Sequence, residues 1–367
     1  MSLIQTSNDF SKNPHYVQRK MFLDPAGRVT IQRYDEYAFP QINKYEETQR
    51  GFFWVPDEVT LTKDQADFKN ANAAVRHIFS SNLLRQTALD SIQGRSPVEA
   101  FLPVASVPEL ESLVMSWSFF EIIHSRSYSH IIRNIYSSPE KEFDKIHETQ
   151  EIVQMAAQIG KYYDDLYELN CKKALGQPVS EYDHIKAIWL ALIASYGLEA
   201  IRFMVSFATS LGMVENKIFI GNGNIIKLIL QDELLHTDWT AYLINTVLRT
   251  DERFIQVQKD TKEEAYSMLL DVVREEKEWA DYLFKEGVVI GLNANIMKSF
   301  VDWRAKECLA KIGMQYPCDL RMSPLPWFNK HLNTNKQQTA LQENESTSYV
   351  IGALTNSLKY DDLPDLT

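Results

Sequence analysis

Apolar residues recur along this chain at steps of three and four, in long stretches bounded by glycine, proline or polar clusters, and no strand-like alternation competes with them. The pattern predicts a helix over 61–93, where Phe79, Leu83 and Leu84 fall at helical spacing and Gly94 supplies a stop. A second helix is predicted over 106–136, with Ser106 as N-cap, Pro108 in its first turn and Ser137-Ser138-Pro139 ending it. Further helices are expected at 148–175, 181–212, 224–249, 260–286 and 293–312. Residues 1–60 carry Pro14, Pro25, Pro40 and Pro56 and little period, which reads as an irregular arm, although GFFWVP at 51–56 is too apolar for a free tail. Beyond 330 the text NKHLNTNKQQTALQENESTS is polar and unfit to fold alone, and the mixed end SYVIGALTNSLKYDDLPDLT suits a partner. The expectation is an all-α chain: an arm (1–60), a helical-bundle domain (61–330) and a flexible tail (331–367).

Composition narrows this further. With 45% apolar residues in 367, the chain can bury a large core, and thirteen glycines and thirteen prolines leave few turns. The formal charge of -11 disfavours a nucleic-acid partner, whose phosphates attract basic surfaces. Cys171, Cys308 and Cys318 are scattered, with no C-x-x-C pair, which argues against a disulfide framework or thiolate zinc site and for a reducing compartment. The N-terminus lacks a signal-peptide pattern, and the longest apolar run, 187–196, is short for a membrane span. The expected setting is cytoplasmic, without a membrane.

The candidate chemistry lies in two E-x-x-H elements. Glu121-Ile-Ile-His124 and Glu233-Leu-Leu-His236 each put a carboxylate and an imidazole on one helix face. The first lies on the stripe Leu113, Trp117, Glu121, His124, Tyr128, and the second on Ile226, Ile229, Leu230, Glu233, His236. Ionised carboxylates facing a core call for cations or bonded partners. Two more stripes nominate lone carboxylates: Glu199 among Leu192, Tyr196, Phe203 and Phe207, and Asp90 after Phe79, Leu83 and Gln86. Two E-x-x-H helices with two carboxylate helices is the arrangement of ferritin-like di-metal bundles. Four carboxylates balance two divalent ions, and oxygen with imidazole suits iron or manganese. An isolated E-x-x-H is commonplace, and a lone buried carboxylate is more often salt-bridged, for which Arg202 and Lys227 are candidates. The set as a whole carries the specificity.

At these residues the sequence resembles the small, radical-generating subunit of class I ribonucleotide reductases. The stretches that carry the resemblance are FFWVPDEV (52–59), LDSIQGRSP (89–97), FEIIHSRSYSHIIRNIY (120–136), LEAIRFMVSFA (198–208) and DELLH (232–236). The resemblance implies two iron ions per chain, oxo-bridged and held by Asp90, Glu121, His124, Glu199, Glu233 and His236, with manganese as an alternative. It implies that dioxygen is used to oxidise Tyr128 to a stable radical inside a pocket lined by Phe203, Phe207 and Ile229. It further implies an exit route through His124, Asp232 and Trp54, and then Tyr349 or Tyr360 of the tail, which docks on a large subunit that reduces ribonucleotides. A homodimer is expected. Phe120 and Gln231 depart from the family's usual residues beside the ligands. On the ligand pattern alone, a di-iron oxygenase or desaturase, an iron-storage protein and a structural bundle remain open.

Overall fold

The computed structural model describes residues 17–332, apart from the side chains of Gln158 and Ile159. In chain order the α-helices are α1 (Pro40–Gly51), α2 (Thr62–Asn70), α3 (Ala73–Gln93), α4 (Ser96–Phe101), α5 (Pro108–Ile135), α6 (Pro139–Glu148) and α7 (Gln150–Ala174). They continue with α8 (Glu181–Gly197), a π-helical turn (Leu198–Arg202), α9 (Met204–Glu215), α10 (Ile220–Thr250), α11 (Glu252–Asp260), α12 (Lys262–Leu283) and α13 (Ala294–Lys311). Among the described residues there is no strand, only the isolated bridges Phe22–Ala105 and Val289–Leu292.

The centre of the bundle is built from α3, α5, the α8–π–α9 rod and α10: α3 packs on α5, and α10 on α8 and α9. Their inner faces form one apolar core with Trp117, Trp189, Trp239, Phe203 and Phe207 among its largest buried side chains. The span Glu181–Glu215 is long and apolar enough to cross a membrane, contrary to the impression left by its ten-residue run. Its most apolar stretch is wholly buried in the bundle, while Glu181, Tyr182 and Asp183 at its start are exposed. A helix apolar on every side is what a central rod surrounded by other helices requires.

Several boundaries differ from the pattern's prediction for local hydrogen-bonding reasons. The helix expected over 61–93 is two, because Asn72 leaves helical geometry and its side chain accepts from Val75 N at 2.9 Å as the N-cap of α3. Ser106 does not cap α5. Val107 occupies that position, and Ser106 Oγ instead accepts from Asp24 N at 2.9 Å. Asp251 caps α11, a helix that, like α6, the periodicity does not announce, and the stretch expected at 260–286 breaks at Thr261. The start of α10 is held by Asp64, whose carboxylate accepts from Gly221 N at 3.0 Å and Asn222 N at 2.6 Å. A side chain at position 221 would put a Cβ 2.5 Å from Thr60 O, so glycine is needed there.

Within the stretch read as an arm, Pro40–Gly51 is helical and lies along α5. Residues before it are pinned by Leu23 N to Val104 O, Ser106 N to Met21 O and Val29 N to Ser106 O. Of the predicted tail, residues 333–367, with Tyr349 and Tyr360, lie outside the described residues.

One buried ion pair ties α3 to α12. Arg85 donates to Glu276, both are sealed from solvent, and the guanidinium stacks 4.7 Å from the Trp279 ring. Burial raises the Glu276 pKa although Arg85 opposes it. Removing one partner strands a buried charge, so Glu276→Ala is expected to lose about 3–5 kcal/mol of stability. Urea unfolding measures this, and a loss within experimental error would contradict the pairing.

Candidate metal centre

The four core helices converge their polar residues on one point. Asp90 comes from α3, Glu121 and His124 from α5, Glu199 from the π-turn, and Glu233 and His236 from α10, all with 0% exposure. Donor atoms of Asp90, Glu121, His124 and Glu233 lie within 4.8 Å of one another, as do those of Glu121, Glu199, Glu233 and His236. Glu121 and Glu233 belong to both groups. Each histidine turns Nδ1 inward. His124 Nδ1 is 3.3 Å from Glu121, 3.2 Å from Glu233 and 3.8 Å from Asp90. His236 Nδ1 is 3.0 Å from Glu121, 3.3 Å from Glu233 and 3.5 Å from Glu199. The bland alternative for Glu199 fails, since Arg202 pairs with Glu275 at 2.5 Å and Lys227 is exposed.

The unsatisfied atoms reveal what this cluster is built for. Both oxygens of Asp90 and of Glu233, with Glu199 Oε2, are buried without a hydrogen-bond donor, and His236 Nδ1 forms no aligned bond with its neighbours. Buried polar atoms are otherwise almost always bonded, so this many orphans aimed at one point fit cations. The outer faces, by contrast, are bonded. His124 Nε2 donates to Asp232 Oδ2 at 3.0 Å, and Asp232 also accepts from Trp54 Nε1 and Gln49 Nε2, each at 2.9 Å. Gln49 Oε1 in turn accepts from His236 Nε2 at 3.1 Å. Outward bonds on both Nε2 atoms leave both Nδ1 lone pairs for a metal.

Gln49 carries no signal in the sequence, because it sits on α1 in the stretch that reads as irregular. Trp117 reads as an apolar stripe residue, yet its Nε1 donates to Glu121 Oε1 at 3.0 Å and Glu199 Oε1 at 3.1 Å. Gln93, one turn beyond Asp90, also donates to Glu199 Oε1 and accepts from Tyr163 Oη at 2.7 Å. Its spacing from Asp90 is the one available hint.

Tyr128 is fully buried one turn beyond His124, and its hydroxyl lies beside Asp90 without an aligned hydrogen bond. Burial, then the charges of Asp90 and Glu233, push its pKa well up. Phe203 and Phe207 stack at 5.4 Å, and both are sealed in the core, as is Ile229 on α10. Phe120 is buried and meets Phe119 edge-on at 5.7 Å, while Gln231 is half-buried on α10.

Fold and site together define a helical-bundle protein with a buried carboxylate and imidazole centre that fits two metal ions. A family model described as "Ribonucleotide reductase, small chain" matches residues 33–317. The chain is 39% identical to "Ribonucleoside-diphosphate reductase 1 subunit beta" of Escherichia coli O157:H7, over 98% of this chain and 97% of that protein. It is 35% identical to the subunit beta of Enterobacteria phage T4, over 96% and 97%. In fold it resembles the "Ribonucleotide reductase R2 subunit from Clostridium botulinum", with TM-score 0.75, 20% identity, and 86% of this chain and 94% of that one covered. It also resembles the dimanganese(II)-NrdF of Streptococcus sanguinis, with TM-score 0.69, 19% identity, and 83% and 100% covered. The chain belongs to the ribonucleotide reductase small-chain family. It is the beta subunit of a ribonucleoside-diphosphate reductase and works with a large subunit. The oxygenase and storage readings that the ligand pattern left open are thereby set aside.

Without metal the centre holds protons. Burial drives Asp90 and Glu233 well above the usual carboxylate range, helped by Glu121 and Glu199 respectively. Burial opposes charge on both histidines, yet their carboxylate partners raise them well above the usual value. Cations must displace these protons. Manganese(II) binding is therefore expected to release protons near neutral pH and to weaken as pH falls. Calorimetry in buffers of different ionisation enthalpy checks this, and a heat independent of buffer would refute it.

Proposed function

We propose that the chain makes and stores a one-electron oxidant at Tyr128 and passes it to the large subunit, which reduces ribonucleoside diphosphates to deoxyribonucleotides. The observation that carries this reading is the ring of unsatisfied donors facing inward beside a buried, unbonded phenol. Asp90, Glu121, His124 and Glu233 would hold one ion and Glu121, Glu199, Glu233 and His236 the other, with Glu121 and Glu233 shared. Iron is our reading, with manganese the alternative that the same donors accept. When bound, such a pair supplies the oxidising equivalents drawn from dioxygen.

The remaining tasks fall to the chain's own residues. Tyr128 holds its proton firmly, so loss of an electron from the ring must be accompanied by loss of the Oη proton. The Asp90 carboxylate, whose charge bears on the phenol, is the group placed to take it. Phe203, Phe207 and Ile229 keep water and reductants away from the ring. The hydrogen-bonded series His124, Asp232 and Trp54 links the centre to the segment after α1, and Trp54 stacks 6.2 Å from the His124 ring. An electron passing inward along it to Tyr128 carries the radical outward. Tyr349, with Tyr360 as a second candidate, would continue the relay in the tail that docks on the large subunit. A cytoplasmic setting suits three unpaired cysteines.

The proposed homodimer has a surface to use. Met115, Phe119 and Ile122 share one exposed face of α5, and exposed Phe53 stacks on Phe119 at 6.2 Å.

Loading iron under air is expected to give a tyrosyl signal by electron paramagnetic resonance that Tyr128→Phe abolishes. An undiminished signal in that variant would sink the assignment. Phe119→Glu is expected to shift the chain from dimer to monomer in sedimentation velocity at micromolar concentration. A variant that sediments like the parent would move the interface elsewhere.

A further inference from the structure

Glu199 is the one metal-facing carboxylate that does not stand on a regular α-helix. It lies in the π-turn Leu198–Arg202, where the rod from α8 to α9 changes register. Such a turn leaves peptide groups without their usual partners, and it persists only if something else satisfies them. Here two buried charged side chains do so from outside the rod.

On one side, Arg304 of α13 donates through Nε to Ala200 O at 3.0 Å, and Cys308 Sγ approaches the same carbonyl at 3.7 Å. On the other, Glu276 of α12 accepts from Val205 N at 2.9 Å. Ala200 O and Val205 N stand five residues apart, the spacing of a π-helical bond, and each instead bonds a side chain from outside the rod, Arg304 and Glu276 respectively. Tyr196 Oη, donating to Cys308 O at 2.7 Å, fastens α13 to the same rod one turn before Glu199.

Arg304 is an unusual residue to bury without a role. It is 6% exposed, and its Nη2 has no hydrogen-bond partner. Its one bond to the rod is to a carbonyl inside the π-turn, Ala200 O.

We propose that Arg304 is a positioning residue for Glu199: by capping Ala200 O together with Glu276 on Val205 N, it keeps the π-turn open and fixes the Glu199 carboxylate toward one of the two metal positions. Relaxation of the turn by one residue would rotate the side chains on one side of it by about 100° relative to the other. Glu199 would then turn from the cluster that it shares with Glu121, Glu233 and His236. The cluster of Asp90, Glu121, His124 and Glu233 does not include Glu199 and would keep its donors. The effect of Arg304 is thus selective for one ion of the pair.

This inference rests on the di-metal reading. The test is anaerobic titration of the full chain and of Arg304→Gln and Arg304→Lys with manganese(II), read by calorimetry and by electron paramagnetic resonance of free manganese, with circular dichroism to establish folding. Arg304→Gln is expected to weaken one ion about tenfold or more, in the range known for residues that orient ligands, and the other less than threefold. Arg304→Lys, which keeps the charge but not the Nε position, should show the same selective loss to a smaller degree, and it decides the matter if the Gln variant does not fold. A folded variant that binds both ions like the parent, or loses both alike, overturns the proposal while leaving the di-metal reading intact. A parent chain that fails to bind two ions overturns both.

Discussion

The structure is organised around the desolvation of like charges. Asp90, Glu121, Glu199 and Glu233 meet at zero exposure with only two imidazoles among them. Carboxylates so placed must be protonated, bonded or bound to cations, since the interior offers no water to spread their charge. The protein keeps several of their oxygens unbonded, and uses the surrounding bulk of the bundle to hold the groups against their mutual repulsion. Long helices suit this task. Asp90, Glu121, His124, Glu233 and His236 are presented from regular helices whose backbones bond internally, so that their side chains are free to face the centre.

Around that centre lies a shell of bonded groups, and its two halves differ in kind. The histidines look outward to Asp232 and Gln49, which are themselves joined, so that His124 and His236 are oriented by one continuous hydrogen-bonded chain. Trp54 joins it at Asp232 and carries it to the segment after α1. Glu199 is held differently, by Trp117 and Gln93 on its own oxygen and by the capped peptides of the π-turn beneath it. Both clusters thus lean on the Asp232–Gln49 chain through their histidines, and the cluster with Glu199 depends in addition on the register of a helix. The buried Arg85–Glu276 pair connects these supports, because the glutamate that pairs with α3 also bonds the backbone at the start of α9.

What the sequence determined by itself is what helix periodicity governs. An i, i+3 spacing puts Glu and His on one face whatever surrounds them, and a stripe of apolar residues shows which way that face points. The two E-x-x-H pairs, Asp90 and Glu199 were legible on those grounds, as was the all-helical class. By spacing alone Tyr128 reads as a core tyrosine, and the role proposed for it rests on the longer motifs around it. The tertiary structure decided whatever depends on pairing between distant segments. Gln49 and Asp232 are 183 residues apart, and no local pattern announces such a bond. Whether Trp117 would merely fill space or donate to Glu199, and whether the 181–212 rod would run straight or open at Leu198–Arg202, depended on which helices packed against them. Periodicity is a property of neighbours along the chain, whereas a buried hydrogen bond belongs to whichever groups folding excludes from water together.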